Sequence, residues 1–260
     1  MAIERIVPGT VEWEAYYANH ICRYAFAKNC LNDKMPTKIL DAACGVGYGS
    51  HYLASNSMWN ITAIDRSKEA LAIAAKKFEK SNISFLEDDC HTLDKASAFA
   101  AFDVVISFET LEHLPKPASF VKNCFANLKK EGKLIISTPN QTVSSPNGLN
   151  WEFHEKEYTA IELHDLLAEQ GFSNILIYGQ KITSIGKMRS EFRAELNKIN
   201  SNPFVRLGKY IQKIFRGRNF NAILPEQLED FEIVLYNDFE KIIGEGENGP
   251  FVLIAVCEKK

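Results

Sequence analysis

No apolar run in the 260 residues approaches the roughly 18 to 20 consecutive positions that a membrane-spanning helix needs. The six cysteines (Cys22, Cys30, Cys44, Cys90, Cys124 and Cys257) stand singly, with no Cys-x-x-C pair. A zinc knuckle or thioredoxin-like motif is thereby excluded. The first fourteen residues, Met1 to Glu14, lack a basic region followed by an apolar core. No secretory signal is expected, so the expectation is a cytoplasmic protein with reduced thiols. Charge of one sign is also missing. Thirty Lys and Arg against 33 Asp and Glu leave a net of −3, which argues against a globally basic nucleic-acid binder. Apolar residues are not scarce: 46% hydrophobic with 24% charged excludes disordered, collagen-like and disulfide-scaffold chains.

What is present is alternation. Strands are predicted at Lys38 to Asp41, Asn60 to Asp65, Ile83 to Leu86, Phe102 to Phe108 and Gly132 to Thr138. Helical patterns at Tyr48 to Ser55, Ser67 to Glu79 and Pro117 to Leu128 lie between them, the second with Ala70, Leu71, Ala74 and Phe78 on one face. Strand and helix in turn imply a parallel sheet with helices on both faces. Ahead of it, Val11 to Leu31 reads as an aromatic-rich helix. Behind it, Thr159 and Glu162 match a capping box opening a helix that Gly171 stops. Ser173 to Gly179 and Phe251 to Cys257 complete seven strands. The intervening stretch, residues 182–248, is too long for a simple connection and is read as a helical insertion. One apolar stripe there joins Met188, Phe192, Leu196 and Ile199; another joins Phe204, Leu207, Ile211, Ile214 and Phe215.

Asp41-Ala42-Ala43-Cys44-Gly45-Val46-Gly47-Tyr48-Gly49-Ser50 sits where the first strand gives way to a helix. Small residues let a backbone approach a ligand closely, and the helix start offers free N–H groups. Such a turn is equally a tight strand-to-helix connection. No Gly-Lys-Ser/Thr follows, so it is not a Walker loop, and the G-x-G-x-x-G spacing is absent. Asp65 ends the second strand twenty residues after Gly45, where a carboxylate can take both hydroxyls of a ribose or cap the helix that follows. After the third strand, Asp89 could accept from an exocyclic amine and the Cys90 N–H donate to a ring nitrogen, with Asp88 the alternative by one position.

ILDAACGVGYGS, ITAIDRS, ISFLEDDCHTL, FDVVISFETLEHLPKP and LKKEGKLIISTPN together resemble the class I S-adenosylmethionine-dependent methyltransferases, over about Lys38 to Asn140. The resemblance implies a Rossmann-like seven-stranded sheet, mostly parallel with the last strand antiparallel. It implies one domain of residues 1–260: an N-terminal helical lid (1–36), a cofactor-binding core (38–181), the insertion (182–248) and a final strand (249–260). Asp41, Ala43, Cys44, Gly45 and Gly47 would surround the methionine part of the cofactor, Asp65 would hold its ribose, and Asp89 and Cys90 its adenine. Arg66, Phe108 and Arg23 would join that cofactor-binding set. That aromatic helix would cover the cofactor and part of the acceptor pocket, or else pack into the core; Tyr17, Arg23 and Tyr24 are its polar-tipped members. Ala43 stands where the family usually has glycine. The flanks, Glu4 to Gly9, Arg23 to Ala27 and Phe153 to Thr159, resemble methyltransferases of bacterial glycan gene clusters. That likeness implies O-methylation of a sugar or glycan-biosynthesis intermediate.

Glu109-Thr110-Leu111-Glu112-His113, with His154 about forty residues on, sets carboxylates and imidazoles near the mouth of the sheet. The pattern suits a hard-metal site and resembles that of small-RNA 2′-O-methyltransferases and ubiquinone-pathway O-methyltransferases, which bind a divalent cation such as Mg²⁺. Glu109, Glu112, His113 and His154 would be its ligands. Without metal, His113 or His154 would act as general base beside Glu112; alternatively Glu112 and His113 cap the loop while His154 packs locally. His20, His51, His91 and His164 show no partner pattern. An N-methyltransferase and a non-catalytic cofactor-binding subunit are the competing readings.

The near-neutral total conceals a charge dipole. Nine basic residues against two acids between Ser184 and Asn221 give +7, and eight acids against Lys241 between Ala222 and Asn248 give −7. These are two solvated faces, an attraction for an anionic, nucleotide- or phosphate-linked acceptor, or a peripheral membrane contact through residues 187–218. Nucleic acid is the weakest reading, and the oligomeric state is not legible.

Overall fold

A computed structural model of the chain describes residues 6–99, 101–149, 151–191 and 227–260. Its centre is an eight-stranded sheet in the order β3-β2-β1-β4-β5-β8-β6-β7. The strands are β1 (Thr37–Ala42), β2 (Trp59–Asp65), β3 (Ile83–Glu87), β4 (Phe102–Phe108), β5 (Leu128–Pro139), β6 (Phe172–Ile182), β7 (Phe231–Tyr236) and β8 (Val252–Lys259). β1, β2, β3, β4 and β5 pair in parallel. β8 inserts antiparallel between β5 and β6, as expected of the last strand.

Each of the first five strands sits where an apolar run was read. Central parallel strands are covered on both faces, so their sequences stay apolar along their length instead of alternating. Ile39, Leu40, Ile64, Val105, Ile106, Ile135 and Ile136 are wholly buried. Helices α2 (Tyr48–Leu53), α3 (Lys68–Lys77) and α4 (Pro117–Asn127) supply crossovers, and the single turn α5 (Gln141–Ser144) follows β5. Because β1, β2 and β3 step one way from the centre while β4 and β5 step the other, right-handed crossovers put their helices on opposite faces. Helix α6 (Ala160–Glu169) starts with the capping box read from sequence: Thr159 Oγ1 accepts the Glu162 N–H and Glu162 accepts the Thr159 N–H.

The sequence reading differs in one element. β7 lies inside the stretch read as a helical insertion, making eight strands where seven were expected. Phe231-Glu232-Ile233-Val234-Leu235-Tyr236 is β-branched and aromatic, the composition of a strand, but the surrounding acids masked it. Residues 184–191 and α7 (Phe239–Gly244) are helical. Of the two apolar stripes, only Met188 is described, and it is exposed; the others lie outside the described residues, as does most of the basic segment.

The chain divides into two compact units, one of Arg23–Lys181 with Ile233–Lys260 and one of Ile6–Cys22 with Ile182–Glu232. Helix α1 (Val11–Asn29) contributes to both. In the second unit Trp13 stacks on Tyr17 with ring centroids 4.2 Å apart. There Arg189 pairs with Glu229 and, at 2.9 Å, with Asp230. No helix among the described residues is long and apolar enough to cross a membrane.

Candidate functional site

The strand order reverses between β1 and β4, and open α/β sheets bind ligands at the carboxyl ends of strands flanking such a reversal. Every candidate residue from Asp41 to His154 lies at or just beyond that edge.

The β1–α2 turn holds three residues in left-handed conformation: Ala43 (φ 66°), Gly45 (φ 56°) and Gly47 (φ 86°). A Cβ on Gly45 would meet nothing within 4 Å, whereas one on Gly47 would collide with Ala74 and Phe85 at 2.8 Å. Gly47 is therefore required by packing, and Gly45 leaves an open backbone face. Asp65 fixes the turn, accepting the Gly45 N–H at 2.9 Å and the Ser67 N–H at 2.8 Å. Both carboxylate oxygens thus face the start of the β1–α2 turn and the N-terminus of α3. Arg66 next to it is exposed.

Asp41 is fully buried, with the Ser50 hydroxyl donating at 2.5 Å and the Tyr24 hydroxyl at 3.3 Å. Burial raises its carboxyl from the ordinary 3.8 to about 6, against the lowering effect of those two bonds. Tyr24 reaches it because Gly49 has no side chain: a Cβ there would lie 1.9 Å from the Tyr24 ring. The ring also meets Phe108 edge-on at 4.9 Å. Arg23, 1% exposed, donates to Gln180 at 2.9 Å and stands 4.0 Å from Glu109.

Beyond β3 the two aspartates take different roles. Asp88 is buried and accepts the Asp89 and Ala96 N–H groups at 2.9 and 2.8 Å, holding the loop together. Asp89 faces outward, and the His91 N–H at 2.8 Å draws its carboxyl below the usual range. His91, set aside by the sequence reading, also places Nδ1 3.0 Å from Asp89. Burial pushes the Cys90 thiol up to about 12, and Cys44 is buried. Cys90 is thus no thiolate nucleophile at neutral pH.

The loops after β4 and β5 converge on the second constellation. Glu155 N–H donates to the Glu112 carbonyl at 2.7 Å, and His113 Nδ1 lies 2.9 Å from the Phe153 carbonyl. Ligand atoms of Glu112, His113 and His154 fall within 4.8 Å of one another. The imidazoles meet edge to face at 4.9 Å, and His113 Nε2 is 3.7 Å from Glu112 Oε1. Glu112 is 1% exposed and accepts from Thr138 at 3.0 Å. Burial, then the neighbouring Glu109, holds its carboxyl well above the usual range. Glu109 itself does not join this group. In left-handed conformation (φ 52°), it accepts from Ser137 at 2.8 Å and faces Arg23. Two imidazoles and one carboxylate fit a divalent transition ion such as Mn²⁺ better than Mg²⁺, which prefers oxygen donors. Glu157 and Gln180 were not singled out from sequence. Glu157 stands three residues after His154, and Gln180 lies 157 positions from the arginine it binds.

A family model described as a methyltransferase domain matches residues 33–216. The chain belongs to this methyltransferase family. A probable S-adenosylmethionine-dependent methyltransferase of Mycolicibacterium smegmatis is 31% identical over 173 residues, 65% of this chain and 63% of that protein. One of Mycobacterium tuberculosis is 31% identical over 144 residues, 54% of this chain and 50% of that relative. The methyltransferase chain thus spans between half and two thirds of these relatives. A ubiquinone biosynthesis O-methyltransferase of Rickettsia typhi is 29% identical over 203 residues, 72% of this chain and 79% of its own. In fold the chain is similar to a methyltransferase of Thermotoga maritima, TM-score 0.59 at 13% identity, covering 96% and 94% of the two chains.

Proposed function

We propose that this methyltransferase moves a methyl group from S-adenosylmethionine to a hydroxyl of a small molecule. The observation that carries the reading is the Glu112–His113–His154 group, set at the same sheet edge as the open Gly45 turn. Bound there, the cofactor supplies an activated sulfonium methyl, so the protein's work is positioning, desolvation and proton removal. The Ala43–Gly47 turn offers backbone to the methionine part, Asp65 at the end of β2 its carboxylate to the ribose, and Asp89 its carboxylate to the adenine amine. Arg66, Cys90 and Phe108 would complete the cofactor-binding set at the same sheet edge. His113 or His154 takes the acceptor proton; alternatively these two with Glu112 hold a divalent ion, whose chemistry is to lower the pKa of a coordinated hydroxyl. Relatives named for ubiquinone biosynthesis O-methyltransferase support oxygen as the methylated atom.

A sugar or glycan-biosynthesis intermediate is the acceptor class we favour, anionic if the basic segment 187–218 attracts it or brings the chain to a membrane surface. Six cysteines outside any disulfide are consistent with a cytoplasmic setting. The test is transfer from labelled S-adenosylmethionine to a metabolite extract, using wild type, His113→Ala and His154→Ala, with and without a divalent chelator. Each substitution is expected to lower turnover about 10²- to 10⁴-fold while cofactor affinity by calorimetry stays within twofold. Unchanged turnover in both variants and after chelation would overturn the O-methylation assignment in favour of a nitrogen acceptor. Cofactor binding without any transfer would favour the non-catalytic subunit.

A further inference from the structure

We propose that Glu157 is a positioning residue: its buried carboxylate holds the proton of His154 on Nδ1, leaving Nε2 as the lone-pair nitrogen. The inference rests on the assignment of His154 to the reacting site. His154 Nδ1 lies 2.7 Å from Glu157 Oε1, and the Glu157 side chain is wholly excluded from solvent. Its other oxygen, Oε2, is engaged by the Ser144 hydroxyl. The Asn140 carbonyl within reach of that hydroxyl already accepts the Val143 and Ser144 N–H groups, both at 2.9 Å. The hydroxyl lies 2.8 Å from that carbonyl, but its single proton has the Glu157 carboxyl oxygen as the less occupied acceptor. With the Ser144 hydroxyl donating to Oε2, Oε1 faces the ring as the acceptor, which assigns the proton in the short contact to Nδ1.

The same logic holds for the neighbouring ring. His113 Nδ1 faces the Phe153 carbonyl at 2.9 Å, and a carbonyl likewise only accepts. Both imidazoles thus carry hydrogen on Nδ1, one fixed by backbone and the other by Glu157. The two Nε2 atoms are left to take a proton or ligate a cation. A carboxylate behind a functional histidine fixes tautomer and ring orientation, and losing one typically costs 10- to 100-fold in metal affinity or activity. Trp151, stacked at 6.0 Å on the His154 ring, restrains the ring plane but selects no tautomer.

The experiment is ¹⁵N NMR of histidine-labelled full-length protein, with His154 assigned by its substitution, alongside Mn²⁺ titration followed by electron paramagnetic resonance. Wild-type His154 is expected as the Nδ1–H form. Glu157→Ala should convert it to a mixture or to the Nε2–H form and weaken Mn²⁺ binding 10- to 100-fold. Glu157→Gln, whose amide oxygen can still accept from Nδ1, should restore most of both. An unchanged tautomer in folded Glu157→Ala overturns the proposal; where that variant does not fold, an Nε2–H His154 in wild type overturns it equally. A tautomer change with no Mn²⁺ binding in any variant upholds it while removing the metal from the proposed function.

Discussion

Asp41→Asn isolates the energetic cost of keeping a carboxylate in the interior of the β1–α2 region. The wild-type carboxyl is raised from the ordinary 3.8 to about 6, with burial the leading cause. A folded-state value above the unfolded one means that folding takes up a proton between them. Its contribution to stability is complete below pH 3.8 and is lost as pH rises through about 6. That interval, at 1.36 kcal/mol per pH unit, corresponds to roughly 3 kcal/mol at pH 7 to 8. Asparagine is neutral at every pH, and the partners tolerate it: the Ser50 and Tyr24 hydroxyls that donate to Asp41 can turn and accept from the amide. Equilibrium urea unfolding of both proteins from pH 4 to pH 8 checks this. The stability gap should widen toward alkaline pH by about 2 to 3 kcal/mol in favour of Asp41→Asn, with cofactor affinity falling. Parallel curves, or a variant less stable at pH 8, would refute the reasoning.

Gly49→Ala should lower stability by about 3 kcal/mol or more, because its Cβ would enter the Tyr24 ring at 1.9 Å in a packed core; a thermal melt reads the loss. Ala43→Gly should raise stability by about 0.5 to 1 kcal/mol, since relief of the left-handed φ of 66° exceeds the entropy added to the unfolded chain; a urea midpoint that falls would contradict it. Thr159→Ala removes the side-chain half of the α6 capping box while the backbone N–H keeps Glu162, and should cost about 1 kcal/mol, seen as a lower urea midpoint with unchanged cofactor affinity.

Much of the fold was legible because central parallel strands write themselves as continuous apolar runs: Phe102 to Phe108 and Gly132 to Thr138 could hardly be anything else. β7 was not, because Phe231 to Tyr236 sits among acids and has too little alternation to betray the strand that ends the sheet. In the site, what is local in sequence was readable. The Ala43–Gly47 turn, Asp65 at a strand end, and Glu112 beside His113 all follow from chain order. What depends on packing was not. Only three-dimensional contact shows that Asp88 is occupied by the Asp89 and Ala96 N–H groups while Asp89 faces outward. Only contact shows Arg23 committed to Gln180 and Glu109 turned toward Ser137. Neither partner is near its mate in sequence, and no spacing rule links them.

Among the buried carboxylates at the carboxyl edge of the sheet, Asp41, Glu112 and Glu157 are each served by a hydroxyl: Ser50 and Tyr24, Thr138, and Ser144. A protein selected for stability alone would replace such groups with apolar residues, since desolvation of each charge costs more than a single hydroxyl returns. Hydroxyls differ from lysine or arginine in one useful way. They stabilise an anion by donating and a neutral acid by accepting, so they commit the site to neither charge state. Under the proposed reaction, a sulfonium cation arrives, a neutral thioether leaves, and a proton comes off the acceptor. Carboxylates with such reversible partners can follow those changes more readily than carboxylates bonded directly to lysine or arginine. This is why Asp41→Asn is expected to be more stable and yet to bind the cationic cofactor less well: the same buried charge that weakens the fold at neutral pH is what a positive ligand at this edge would meet.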